Sequence, residues 1–137
     1  MEYGQNKSME YDPDKRKLFS ALCHGSIFFS SFSLFLSIGV PIALLLVSDD
    51  PMVKENAKES INFHINVFIY GVIIGIIFLS PISGLLTLLT LGLFWLLGAA
   101  IGAIFFLFHT VPPLFGIYNT LTNPNQSYRY PFIFRFV

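Results

Sequence analysis

The residues of this sequence that could do chemistry lie in or beside long apolar segments. Three histidines, His24, His64 and His109, and the single cysteine, Cys23, are the candidate metal ligands and proton-transfer groups of those segments. No two of them have the spacing of a zinc motif such as His-Glu-x-x-His, and adjacent residues such as Cys23 and His24 point apart on a helix. The sequence therefore predicts neither a metal site nor a cofactor site.

A serine hydrolase would need a serine beside a histidine base and an oxyanion hole. The nearest approach in this sequence is Ser83, followed by Gly84, with His109 as the base. No recognisable nucleophile motif surrounds Ser83, so we predict no catalytic residue and no enzymatic activity.

Four polar residues form a stripe along one predicted helix. Glu55, Glu59, Asn62 and Asn66 follow one another at spacings of four, three and four residues, and His64 lies in the same segment. This spacing places the four side chains on one helix face, and polar groups that enter a membrane should face protein or a water-filled cavity. The stripe is interpreted either as the lining of a hydrophilic path or as hydrogen bonds that fix helix packing.

Small residues occur in pairs that suit close helix packing. Gly71 and Gly75 lie four residues apart in one apolar segment, and Gly98 and Gly102 do so in the next. Glycines at this spacing allow two helix backbones to approach closely in lipid. We predict that they pack the two segments against each other, with dimerisation as the alternative.

Aromatic and cationic residues alternate near the C-terminus. The residues of this segment are Tyr128, Arg129, Tyr130, Pro131 and Arg135, with phenylalanines between them. Rings and guanidinium groups together suit the headgroup interface of a membrane. We predict interfacial anchoring, with partner docking or closure over a polar path as the alternative.

The distribution of charge indicates a membrane protein. No Asp, Glu, Lys or Arg occurs from residue 60 to residue 128, and this stretch is long enough to cross a bilayer twice. With 54% hydrophobic and 12% charged residues, the chain cannot cover a soluble domain with polar surface. A formal net charge of zero also argues against nucleic-acid binding. The predicted partners are the lipid bilayer and either another membrane protein or a second copy.

The first apolar region, residues 18–47, would be about 45 Å long as one helix, against about 30 Å of hydrocarbon. Gly39 and Pro41 interrupt it, and Ser37 could cap a new helix with Pro41 in its first turn. We predict a hairpin of two short helices joined near residues 31–39, with a single kinked span as the alternative.

The second apolar region has clear start and stop signals. Asp50 can cap a helix that has Pro51 at its first position, and Ser80 followed by Pro81 stops that helix after Leu79. We therefore predict a helix that begins in water at residue 51 and enters the bilayer.

The third apolar region, residues 82–121, is too long for one straight span. It could cross at residues 85–109, or at residues 92–118 with a kink at Pro112 and Pro113. Trp95 and Tyr118 lie about 35 Å apart along a helix, close to the spacing of the two aromatic belts. This spacing favours the later crossing and makes residues 81–91 a connecting loop.

These elements predict an all-α, polytopic membrane protein with an N-terminal helical hairpin and two long transmembrane helices, about four hydrophobic helices in all. The domains are a polar arm at residues 1–17, a membrane domain at residues 18–121 and an interfacial segment at residues 122–137. With a hairpin, all eight Lys and Arg residues lie on one side. The positive-inside rule then predicts a multi-pass protein of the cell membrane with both termini cytoplasmic.

Five short motifs occur in order along the chain: residues 18–24, Val40-Pro41, KENAKESINF at residues 54–63, Tyr128-Arg129-Tyr130-Pro131 and Arg135. In these motifs the chain resembles a widespread family of small prokaryotic membrane proteins that is distantly related to the Tic-twenty component of the chloroplast inner-envelope import translocon. The resemblance covers residues 15–137 and implies four hydrophobic helices with a part in a translocation channel. The family usually has Gly-Glu shortly before the tyrosine motif, where this chain has Asn125-Gln126-Ser127.

The sequence as a whole favours a non-enzymatic subunit or scaffold of a membrane assembly, with protein translocation as the process that the resemblance implies. The alternative is a small channel or transporter whose polar path follows Glu59, Asn62 and Asn66.

Overall fold

The computed structural model describes residues 11–137, and the regular structure of this part of the chain is entirely helical. The all-α prediction is therefore confirmed for these residues. The first ten residues of the predicted polar arm lie outside them. Residues 11–137 contain five α-helices and one short 3₁₀ helix, Ser26–Ser31, which follows the first α-helix. The α-helices are α1 (Pro13–Gly25), α2 (Leu34–Val47), α3 (Pro51–Leu79), α4 (Pro81–Leu89) and α5 (Leu93–Thr122).

Helices α1 and α2, with the 3₁₀ helix between them, form a hairpin. The guanidinium of Arg16, in the first turns of α1, lies 2.6 Å from the carboxylate of Asp50, which follows α2. The predicted break is wrong in detail, because the cap of α2 is Ser33, whose hydroxyl accepts the Leu36 N–H at 3.3 Å. Pro41 accordingly lies inside α2 and not in its first turn. An earlier serine is available to take the unpaired N–H groups at the start of the helix.

Helix α3 begins and ends as predicted. The Asp50 carboxylate accepts the Met52 N–H at 2.8 Å, Pro51 occupies the first turn, and the helix ends at Leu79. Among the described residues, α3 and α5 are the two helices that are long and apolar enough to cross a membrane.

The predicted loop at residues 81–91 is wrong for most of its length, because residues 81–89 form α4. Pro81 suits the first turn of a helix, and the leucines that follow are strong helix formers. The chain then turns at Leu91 and Gly92, which have φ angles of 51° and 87°. Helix α5 begins at Leu93, close to the start of the later predicted crossing, and continues through Pro112 and Pro113.

The hairpin packs on the first half of α3 and the second half of α5, where Ile27, Phe63 and Tyr130 form a buried cluster. The other halves of α3 and α5, joined by α4, expose mainly apolar side chains. A third of the most apolar stretch of α3 is buried, and none of the corresponding stretch of α5.

The four predicted packing glycines have different surroundings. A Cβ atom at Gly71 would lie 3.5 Å from the ring of Phe105, and one at Gly98 would lie 2.7 Å from the ring of Phe78. Cβ atoms at Gly75 and Gly102 would have no neighbour within 4 Å. One glycine of each pair therefore lies against an aromatic ring of the other long helix.

We expect Gly98→Ala to destabilise the packing of α3 on α5 by about 1 to 2 kcal/mol, because the new methyl group overlaps the Phe78 ring. Gly102→Ala is the matched control, and its Cβ enters open space, so it should be neutral or slightly stabilising. Unfolding in mild detergent, followed by circular dichroism, measures both. Equal effects of the two substitutions would contradict the described packing.

Candidate functional site

Several buried polar side chains lie where the C-terminal tail, residues 123–137, contacts α3. The tail has no regular secondary structure. It contacts one side of α3, which we call the polar face and define by the residues Asn56, Glu59, Asn62, Asn66 and Tyr70. These residues recur every three or four positions, so they align along the helix. The first four are buried. Burial of such polar side chains is costly unless they have hydrogen-bond partners.

The tail first runs down the polar face, toward the middle of α3. The Tyr128 N–H donates to Asn56 Oδ1 at 3.0 Å, and the Tyr130 N–H donates to Glu59 Oε2 at 3.2 Å. The turn of the tail lies at Phe132, which has a φ of 57°, and its carbonyl accepts the Tyr70 hydroxyl at 3.3 Å.

The tail then runs back up the same face. The Asn66 amide group brackets Phe134, because it accepts the Phe134 N–H at 2.9 Å and donates to the Phe134 carbonyl at 2.7 Å. Asn62 Oδ1 accepts the N–H groups of Phe136 and Val137 at 2.7 and 3.0 Å. The tail is therefore a hairpin-like loop whose backbone is bound by side chains of one helix.

An ion pair joins the two limbs of this loop to α3. Arg135 Nε lies 2.7 Å from Glu59 Oε1, and its Nη2 donates to Glu59 Oε2 and to the Tyr130 carbonyl, both at 3.2 Å. The hydrogen bond to Glu59 raises the pKa of Arg135. The only buried carboxylate on the polar face of α3 is thus neutralised by the tail itself.

Asn56 connects the tail to α1. Its Nδ2 donates to the Met52 carbonyl at 2.9 Å, so its Oδ1 is the acceptor for the Tyr128 N–H and for His24 Nε2 at 3.0 Å. His24 Nε2 therefore carries the proton, and His24 Nδ1 accepts the Tyr130 hydroxyl at 2.7 Å. These contacts identify His24 as a neutral imidazole with one defined tautomer.

Aromatic packing surrounds this hydrogen-bond network. Tyr130 is 2% exposed, and its ring stacks on Phe63 with centroids 4.2 Å apart. The His24 ring forms T-shaped contacts with Tyr128 and Tyr130, with ring centroids 5.7 and 5.3 Å apart. On its other side it lies against Gly116 of α5, where a Cβ atom would be 2.7 Å from the ring. One site therefore joins α1, α3, α5 and the tail.

Comparison with known proteins assigns the chain to a protein family. Residues 15–137 match the MamF/MmsF family, described as the magnetosome magnetite crystal formation protein family. The chain belongs to this family. No significant match was found among curated proteins or among solved structures. Membership of this magnetosome family and the two apolar helices together support a membrane location.

The resemblance to the Tic-twenty-related family is wrong, because the family match assigns residues 15–137 to the magnetosome family. The resemblance rested on short motifs, and most of them contribute to the site described above: residues 18–24, residues 54–63, residues 128–131 and Arg135. A translocation role is not supported.

The residues of the predicted polar stripe have different environments in the structure. Glu59, Asn62 and Asn66 contact the tail, whereas Glu55 is exposed. The buried residue at that end of the helix is Asn56, which is not part of the predicted stripe. Helical spacing does not distinguish Glu55 from Asn56, because both lie three or four residues before Glu59. The side-chain type is the signal that favours Asn56 as the buried residue, because an amide both donates and accepts hydrogen bonds while a carboxylate only accepts.

The other predicted residues are distributed as follows. His64 is buried beside the hairpin, with Nδ1 2.7 Å from the Ser60 carbonyl. In the tail, Tyr130 is buried, and the Arg135 side chain, which is itself 41% exposed, bonds Glu59 of α3. Arg129 and Pro131 are exposed. Within residues 11–137 there is no cluster of three His, Cys, Asp or Glu residues that could hold a metal ion.

The neutral state of His24 makes the stability of this site dependent on pH. Burial lowers the pKa of His24 to about 4, and this outweighs the hydrogen bond to Asn56 and the charge of Glu59, which raise it. The unfolded chain has the ordinary histidine pKa of 6.5. As the pH falls from 6.5 toward 4, the unfolded chain binds a proton that the folded chain does not, so the folded state loses stability.

We expect His24 to contribute at most roughly 3 kcal/mol to the decrease in the free energy of unfolding across this window. Denaturant unfolding in mild detergent at a series of pH values measures the total decrease, and the difference between the wild-type protein and His24→Gln gives the share that is due to His24. The stability of His24→Gln should therefore vary less with pH between 6.5 and 4. An unchanged slope in that variant would contradict the assignment to His24.

Proposed function

We propose that this protein is a polytopic, non-enzymatic protein of the magnetosome membrane that contributes to magnetite crystal formation as a subunit or scaffold of a membrane assembly. The observation that carries the proposal is the family match over residues 15–137. Its partners are lipid and another membrane protein or a second copy of the chain.

In the proposed arrangement, α3 and α5 cross the membrane and α4 lies at the far surface. The α1–α2 hairpin returns to the side on which it starts, which supports placing both described ends of the chain on one side. Arg16 bonds both Asp50, before α3, and Asn125, after α5. These contacts join the hairpin to the beginning of one span and the end of the other.

The polar face of α3 supports a scaffold better than a channel. Glu59, Asn62 and Asn66 would line the path in the channel alternative, yet their polar atoms bind the tail. A polar path along these residues would require the tail to leave. In the docked state the same residues fasten a C-terminal segment to the membrane domain.

The proposal is tested in a magnetite-forming host from which the gene has been deleted. We expect the deletion to change the number or size of magnetite crystals seen by electron microscopy, and the wild-type gene to restore them. Crosslinking in the membrane, followed by mass spectrometry, should then identify a stoichiometric membrane-protein partner. Crystals that are unchanged by the deletion would contradict the proposed role.

The double variant Asn62→Leu/Asn66→Leu separates the scaffold from the channel. We expect it to remain in the membrane but to lose the crosslinked partner, because the tail backbone loses its hydrogen-bond partners. The exposed substitution Glu55→Ala is the matched control and should retain the partner. Cation flux into liposomes containing the wild-type protein, abolished by the double variant, would instead favour the channel.

A further inference from the structure

The C-terminal tail has two sides of opposite character. Toward α3 it presents its backbone, the hydroxyl of Tyr130 and the guanidinium of Arg135. Away from α3 it presents Phe132, Phe134 and Phe136, whose exposed fractions are 87%, 67% and 59%. A row of exposed phenylalanines is unfavourable in water and favourable in lipid.

The position of the tail along α3 gives its depth. Glu59 is the last charged residue of α3, and Tyr70 follows it by eleven residues, or about 16 Å along the helix axis. The Tyr70 side chain leans toward the start of the helix, so the turn at Phe132 lies somewhat less deep. Half the hydrocarbon thickness is about 15 Å. If α3 crosses the membrane, as proposed above, Phe132 lies well inside one leaflet.

The polar face of α3 allows an irregular backbone to lie at this depth. Non-helical backbone is tolerated inside a membrane where protein groups satisfy its N–H and C=O groups. Asn62 and Asn66 provide such groups to the returning limb, and Tyr70 provides one to the turn. The same contacts cover three polar side chains of α3 that would otherwise face lipid.

The surface around the turn is continuous with the apolar surface of the two long helices. Phe132 contributes to the lining of a groove of about 460 Å³ between α3 and α5. The groove is lined almost entirely by apolar side chains, among them Ile73, Ile104, Phe105 and Phe108. Lipid that covers the groove would therefore also cover the phenylalanine side of the tail.

We infer that the C-terminal tail is a re-entrant loop immersed in the lipid of one leaflet, with Phe132 among the acyl chains and Phe136 nearer the headgroups. The inference rests on the proposed crossing of the membrane by α3. It assigns the polar face of α3 the role of holding this loop in the bilayer.

The test uses single-tryptophan variants in phosphatidylcholine vesicles whose acyl chains carry bromine at defined depths. Phe132→Trp and Phe136→Trp are each made in a Trp95→Phe background. We expect Phe132→Trp to be quenched most by bromines far from the headgroup and to be insensitive to aqueous iodide. Phe136→Trp should be quenched most by bromines near the headgroup. Phe134→Trp, also at an exposed position, is a second reporter with intermediate depth.

The wild-type protein, with Trp95 as its one tryptophan, is the control for membrane insertion. If bromines quench Trp95 but iodide quenches Phe132→Trp, the helices are in the membrane and the tail is in water, which overturns this inference alone. If bromines do not quench Trp95, the proposed membrane crossing also fails. Phe132→Trp that neither quencher reaches would mean that protein covers the tail, which also overturns the inference.

Discussion

Asn56→Leu should release α1 and the tail from α3 and lower the free energy of unfolding by about 4 kcal/mol. Leucine has the same number and branching of side-chain heavy atoms, so the main loss is one of hydrogen bonds. The Tyr128 N–H and His24 Nε2–H would lose their shared acceptor in a buried site. Each stranded donor costs about 1 to 3 kcal/mol. Denaturant unfolding in detergent at pH 7 measures the change.

Glu55→Ala is the matched control, because Glu55 is the next residue of the same helix and is exposed. Surface substitutions of this kind usually change stability by less than about 0.5 kcal/mol. The two neighbouring substitutions should therefore differ greatly in their effect on the free energy of unfolding. Similar stabilities would mean that Asn56 does not hold the tail and α1 together.

Gly116→Ala should be as damaging, although it adds only one methyl group. Its Cβ atom would lie 2.7 Å from His24 Cγ, and His24 cannot move away without losing its bonds to Tyr130 and Asn56. Overpacking costs about 1 to 3 kcal/mol, and each lost hydrogen bond adds about 1 kcal/mol. We expect a loss of about 4 kcal/mol in the free energy of unfolding, measured as for Asn56→Leu.

Gly39→Ala, inside α2, is the control for the general effect of alanine in a helix, because its Cβ atom would have no neighbour within 4 Å. It should be neutral or slightly stabilising.

A double variant tests whether the two large effects arise at one site. Because Gly116 and Asn56 both act through His24, the double variant should lose less stability than the sum of the single variants. Strict additivity would contradict a shared site.

The helical framework was largely predictable because its signals are local. The absence of charge from residue 60 to residue 128 indicates two apolar helices, and Asp50 with Pro51 marks the start of α3 through capping and proline geometry. Local signals were less reliable where two similar residues compete. Ser33 and Ser37 can both cap α2, and which one does so depends on how the 3₁₀ helix ends.

The site was only partly predictable because its contacts are remote in sequence. Glu59 and Arg135 are 76 residues apart, and His24 and Tyr130 are 106 apart. Helical spacing could group the residues of the polar face, but it could not show that the tail is what they bind. Phe132 is a further case, because nothing local indicates a positive φ at a phenylalanine, and tertiary contacts must hold it there.

The tail on α3 also gives a physical reason for the polar residues of a helix that is otherwise apolar. Each of Asn62 and Asn66 uses both its oxygen and its nitrogen on the tail, and Glu59 meets a guanidinium in a bidentate pair. These are satisfied groups, as buried polar side chains should be. These contacts therefore hold the C-terminal tail on α3. The chain belongs to a family linked to magnetite crystal formation.

Hydrogen exchange of the tail amides, measured in lipid nanodiscs, tests this central claim most directly. We predict that the N–H groups of Tyr130, Phe134 and Phe136 are protected in the wild-type protein. In Asn62→Leu/Asn66→Leu, Phe134 and Phe136 should lose protection while the amides of α5 keep theirs. If the three tail amides of the wild-type protein exchange as fast as those of an unstructured chain, the tail does not dock on α3 and the account is contradicted.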